Sequence, residues 1–132
     1  MGVDISHGCW DGSYWAFMIW RQKIATLAGL PPLELMEGFF RNKNLDSAPP
    51  YYDALPIRWD SLKPDPLHIL LNHHDHDGTI AAADCGPIAD RLSKLLPLMP
   101  EGPLEGDYRQ RTLAFICGLR LASELGEDVW FQ

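Results

Sequence analysis

Residues 107–126 read DYRQRTLAFICGLRLASELG, and they set the fold class. Asp107 is a good N-cap and Gly126 a good stop, so the stretch predicts a helix from Tyr108 to Leu125. Tyr108, Phe115, Leu119 and Ala122 fall on one face, with Ile116 at its edge. Arg109, Arg120 and Glu124 line the opposite side. Just upstream, Ile88, Leu92, Leu95 and Leu96 repeat the helical spacing. Pro97 and Pro100 end that helix, and Pro87 fits its first turn. Downstream, Val129-Trp130-Phe131 reads as a short strand able to pair with a second one at Val3–Ile5.

Toward the N-terminus, Ser13 caps a helix from about Tyr14 to Ala28, closed by Gly29 and Pro31-Pro32. Tyr14, Phe17, Met18, Trp20, Ile24, Ala25 and Ala28 share a broad face; Trp15 and Ile19 lie off it. Pro31-Pro32 opens a short helix from Leu33 to Phe40. Residues 41–56, with Asn42, Asn44, Asp46, Pro49 and Pro50, read as a loop that Tyr51 and Tyr52 can order. Asp65 caps a short helix that starts at Pro66 and ends near Leu71; a buried strand from His68 to Leu71 is the alternative. The expected architecture is mainly α. It is a single small domain over residues 1–132 with four to five helices and a short β-pairing of the termini.

The chain has 132 residues, 46% of them hydrophobic, enough for one packed core. A net charge of −7 argues against binding nucleic acid or an anionic membrane, both of which favour a basic surface. The cysteines are Cys9, Cys85 and Cys117, and an odd, widely spaced set is not a disulfide framework. Cys85 and Cys117 read as small buried apolar residues. The N-terminus has no basic and apolar leader, and no apolar run is long enough to span a bilayer. A reduced, cytoplasmic protein is expected.

The chemistry-bearing segment is His73-His74-Asp75-His76-Asp77-Gly78-Thr79-Ile80-Ala81-Ala82-Ala83-Asp84. Two carboxylates two residues apart, followed by a glycine-permitted turn, converge on one point. An acid from the start of the next helix closes the cage. Three carboxylates repel one another unless a cation sits between them. A solvated Asx-type turn is the plainer reading of Asp75, Asp77 and Gly78.

This segment resembles the calcium loop of the EF-hand family. Gly78 takes the sixth position, Asp75 the third and Asp77 the fifth, Thr79 offers a carbonyl at the seventh, and Ile80 is the inward apolar eighth. The resemblance implies a divalent ion held by His73, Asp75, Asp77, Thr79 and Asp84. Two departures matter: His73 replaces an acid at the first position, and Asp84 replaces the bidentate glutamate at the twelfth. Both move the expectation from calcium toward a transition metal such as zinc or manganese. The flanking helices depart from the family too, through Pro66 and Gly86-Pro87, and no second loop exists. The same run also resembles the first motif of DHH-type phosphoesterases, which implies manganese. Those enzymes need further Asp and His motifs downstream, and no histidine follows His76. The segment Leu71 to Ile80 further resembles one found in small bacterial or phage proteins.

His7 and Cys9 form a His-x-Cys pair that, with His73 or His74 and an acid, offers a weak zinc set. Asp4, Ser6, His7 and Asp11 cluster before the first helix and could supply a general base or a Ser–His pair. No nucleophile elbow or phosphate-binding glycine loop is present. The expected function is a non-enzymatic metal-binding interaction protein, with aromatic surface at Trp15, Trp59 or Tyr51 for a protein partner. The alternative is a metal-dependent hydrolase of phosphodiesterase type, with His7 or His74 shuttling protons.

Overall fold

The longest helix forms where residues 107–126 place it. In the computed structural model, which describes residues 2–36, 57–73, 78–99 and 108–132, this helix spans Tyr108–Leu125. We call it α4, and number α1 (Tyr14–Leu27), α2 (Leu67–Leu71) and α3 (Ala82–Leu95) before it. Gly126 ends α4 with φ 67°, a left-handed turn that costs a residue without Cβ little. Phe115, Ile116, Leu119 and Ala122 are buried as expected; Tyr108 is half-buried, and Thr112 and Gly118 join the inner face.

Thr112 is a polar side chain in the core, and it is fully used. Its hydroxyl accepts a hydrogen bond from Trp20 Nε1 at 2.9 Å and donates to the Tyr108 carbonyl at 2.6 Å. Trp20 stacks on Phe115 at 4.9 Å, and Phe17 lies beside it at 5.9 Å. Each of these fully buried aromatic side chains contributes roughly 2–3 kcal/mol by leaving water.

α1 begins at Ser13, whose Oγ accepts the Ala16 N–H at 3.1 Å. Its buried face is Phe17, Trp20, Arg21, Ile24 and Ala25. Met18, expected inside, is only half-buried, and Arg21 is buried among the apolar residues of this face. Trp15 is exposed as its off-face position requires.

α3 packs along α4, and Pro87 is its sixth residue rather than a first-turn residue. The reason lies at the other end of the chain. Asp128 Oδ1 accepts the Ala82 N–H at 2.9 Å and caps the helix from outside, so the helix starts earlier than its own sequence suggests. Pro87 then gives up one interior hydrogen bond. Within the described part of the expected Leu33–Phe40 helix, the chain forms a single 3-10 turn at Leu33–Leu35. Met36 turns extended and bridges Ile57, so the helix cannot propagate. Residues 37–40, the 41–56 loop and Asp107 lie outside the described residues.

The region from Asp65 to Leu71 is helical, not a strand. Asp65 Oδ1 accepts the Leu67 N–H at 3.0 Å, which starts α2. Among the described residues there are also four short strands. β1 (Gly2–Ile5) and β2 (Trp10–Ser13) form an antiparallel hairpin across a turn at Ser6–Gly8. β3 (Thr79–Ile80) pairs antiparallel with β4 (Val129–Trp130). The termini meet as expected: Ile5 bridges Phe131, and Asp4 and Gln132 exchange backbone hydrogen bonds of 3.2 and 2.8 Å. The last six residues therefore touch β1, β3 and the start of α3 together. No described helix is long and apolar enough to cross a membrane.

Candidate functional site

Two groups of side chains flank the C-terminal strand. The first is the frame of the 73–84 loop. His73 follows α2, and its carbonyl accepts a 2.7 Å hydrogen bond from the buried guanidinium of Arg21. That guanidinium lies 4.5 Å over the Phe17 ring. Arg21 therefore ties the end of α2 to α1, a role not legible from its place in the helix.

The His73 ring stacks on Phe131 with centroids 3.8 Å apart. Its Nε2–H donates to the Thr79 carbonyl at 2.9 Å. These two expected ligands thus contact each other and close the loop at its neck. A carbonyl oxygen has two lone pairs, so the bond to His73 leaves Thr79 acceptor capacity. Gly78 is needed here for its backbone: its φ is 91°, and the turn brings it against the His73 ring. The Gly78 carbonyl accepts the Phe131 N–H at 2.9 Å. Ile80, the inward eighth position, is buried, opposite Val129 in the strand pair.

Asp84 is half-buried in the first turn of α3, where the positive end of the helix also suits an acid. Asp75, Asp77, His74 and His76 lie outside the described residues. Among the described residues, no three His, Cys, Asp or Glu side chains converge as a metal-binding group.

The second group was only half visible in the sequence. Ser6 Oγ lies 2.7 Å from His7 Nδ1, and His7 Nε2 lies 3.0 Å from Glu127 Oε1. The Trp130 backbone N–H donates to Ser6 Oγ at 2.9 Å. His7 sits in the left-handed region at φ 63°, the only described residue other than glycine to do so. Such a conformation costs of order 1 kcal/mol and must be held by its surroundings. Gly118 allows it. A Cβ there would lie 2.9 Å from the His7 carbonyl, so only glycine lets the Ser6–Gly8 turn sit down on α4. Ser6, His7, Gly126, Glu127, Asp128, Trp130 and Gln132 line an open cavity of about 550 Å³.

The cysteines divide differently from expectation. Cys85 is buried, but Cys117 is exposed, because it lies on the outer face of α4. Cys9 is buried against Gly118, and burial pushes its thiol up to about 12, with Cys85 adding to the shift. Burial raises the Cys85 thiol as well. All three are free cysteines.

Comparison with known proteins returns no match: no family model fits the chain, and neither a curated protein nor a solved structure aligns with it.

Proposed function

We propose that this protein binds a divalent cation in the loop from His73 to Asp84, and that the ion locks this loop to the core. The observation that supports the reading is the closed neck of the loop. His73 and Thr79 hold each other, Gly78 makes the left-handed turn, and the exit strand is pinned by Ile80 and Phe131. In sequence, Asp75 and Asp77 lie between these two anchored ends. A short loop with fixed ends loses little further entropy when its carboxylates gather round an ion.

The geometry also bears on which ion. With its Nε2–H donating to Thr79, His73 can ligate only through Nδ1, beside the oxygens of Asp75, Asp77, Asp84 and the Thr79 carbonyl. An oxygen-rich set with at most one imidazole nitrogen favours calcium, magnesium or manganese over zinc. In this reading His73 is a strut of the loop rather than a ligand through Nε2. Trp15, which is 72% exposed, is the aromatic contact we assign to a protein partner. Trp59, by contrast, packs against the core. Three free cysteines suit a reducing, cytoplasmic setting.

Elemental analysis of the purified chain, followed by calorimetric titration with calcium and manganese, tests this reading. About one ion per chain is expected, lost in the Asp75→Asn, Asp77→Asn double variant. A chain that carries no metal and takes up none would contradict it.

A further inference from the structure

We propose that Ser6, His7 and Glu127 form an acyl-transfer site on the 550 Å³ cavity, with Ser6 as nucleophile and a small neutral or cationic ester as substrate. The inference does not depend on the cation loop.

The argument starts from hydrogen-bond bookkeeping. A carboxylate oxygen accepts and does not donate, so at 3.0 Å from Glu127 the proton of the His7 ring is on Nε2. The neutral ring then has its lone pair on Nδ1. The partner of Nδ1 is Ser6 Oγ at 2.7 Å, so the hydroxyl must donate its hydrogen there. The same Oγ accepts the Trp130 N–H, which stabilises negative charge on that oxygen. The hydroxyl proton is thus aimed at a base, the base at an acid, and the oxygen at a fixed dipole. This is the acid–base–nucleophile order of serine hydrolases, with the two ring nitrogens exchanged.

The surroundings fit this use. His7 is held at φ 63° in a tight turn, a strained placement of the kind found at nucleophile turns. The turn is seated on α4 at Gly118, which fixes His7 near Glu127 just past the end of that helix. Ser6, His7 and Glu127 all line the cavity, so the relay faces solvent and not the core. The cavity also contains Asp128, the exposed Trp130 and Gln132, and none of its lining residues is Lys or Arg. An acidic, aromatic wall repels a carboxylate substrate and accepts a neutral or cationic one. The backbone N–H groups of Trp130 and Gln132 are bonded to Ser6 Oγ and to the Asp4 carbonyl, which leaves their side-chain N–H groups as donors of the type that stabilises an oxyanion.

The chemistry balances without a cofactor. Ser6 Oγ attacks the ester carbonyl carbon, and its proton passes to His7 Nδ1. The tetrahedral intermediate collapses, the C–O bond to the leaving group breaks, and the imidazolium returns the proton to the departing alcohol. Water repeats the sequence on the acyl-Ser6 ester and releases the carboxylic acid. Glu127 holds the ring tautomer and stabilises the imidazolium, and so acts as a positioning residue.

An alkyl fluorophosphonate tests the proposal on the full chain, read by intact mass and peptide mapping. The expected result is one adduct on Ser6, formed as the P–F bond breaks and fluoride leaves. His7→Gln should slow labelling about 100-fold, in the range that general-base catalysis supplies. Glu127→Gln, at a half-exposed side chain, should slow it about tenfold with an unchanged melting curve. The urea-unfolded chain should not react. The absence of an adduct on the folded protein would overturn the proposal. So would an adduct at another residue, or equal labelling rates in wild type and Glu127→Gln.

Discussion

Replacing Gly118 by alanine should destabilise the protein, although glycine inside a helix is normally a weakness. Two effects oppose each other. Alanine is worth about 1 kcal/mol more than glycine in a helix interior. Against this, the new Cβ would lie 2.5 Å from Cys9 Sγ, 2.9 Å from the His7 carbonyl oxygen and 3.0 Å from the Cys9 nitrogen. Two of these three atoms are backbone, so rotating a side chain relieves only the sulfur contact. Overpacking of this kind costs roughly 1–3 kcal/mol, and a backbone clash belongs at the upper end. The net loss is about 1–2 kcal/mol, which lowers the melting temperature by roughly 3–8 °C in a domain of this size. Circular dichroism melts at one pH and protein concentration measure it. A double-mutant cycle with Cys9→Ala locates the cause. Removing the sulfur should recover part of the loss, with a coupling energy of at least about 0.5 kcal/mol. A melting temperature equal to or above that of wild type would refute the claim that the Ser6–Gly8 turn seats on α4 at Gly118.

The other predictions concern single contacts. Thr112→Val should cost about 1–3 kcal/mol in urea unfolding, because it leaves the buried Trp20 indole N–H without its acceptor. Asp128→Ala removes the outside cap of α3 and should cost about 0.5–2 kcal/mol, with Asp128→Asn recovering most of it in the same assay. Native protein treated with iodoacetamide at pH 8 should be modified at Cys117 alone, and at all three cysteines once unfolded. The raised Cys9 thiol also sets a pH dependence. The folded state keeps its proton up to about 12, whereas the unfolded thiol loses it near its ordinary value of 9.0. The native state binds more protons in that window, so its stability must fall as pH rises from 9.0 toward 12. Urea midpoints across that range check the sign.

What could be read from the sequence was local. Ser13 before α1, Asp65 before α2 and Gly126 after α4 act through residues a few positions away, and each marks its element correctly. The periodic apolar residues of α4 name its buried face for the same reason. Ser6 and His7 are neighbours and could be paired by inspection. Glu127 lies 120 positions from His7, and nothing near it in sequence betrays that contact. Asp128 reaches Ala82 over 46 positions, and Arg21 reaches His73 over 52. These contacts move the start of α3, bury a charge in α1 and assemble a relay at the cavity. β2 was missed because Asp11 and Gly12 are poor strand formers, and pairing with β1 overrides that preference. In the loop, Gly78 takes a left-handed turn and Ile80 is buried, as their residue types suggest. Its neck is not legible in the sequence, because the bond from His73 Nε2–H to the Thr79 carbonyl joins residues six positions apart across the turn.

In the proposed function, a divalent ion stabilises the fold through the 73–84 loop. Thermal melting of the chelator-treated chain, with calcium or manganese then added back, tests it most directly. An ion at 100 times its dissociation constant adds about 2.7 kcal/mol. The account therefore predicts a rise of roughly 8–14 °C on saturation, given about 3–5 °C per kcal/mol for this size, and no rise in the Asp75→Asn, Asp77→Asn variant. A melting temperature indifferent to chelator and to both metals would contradict it.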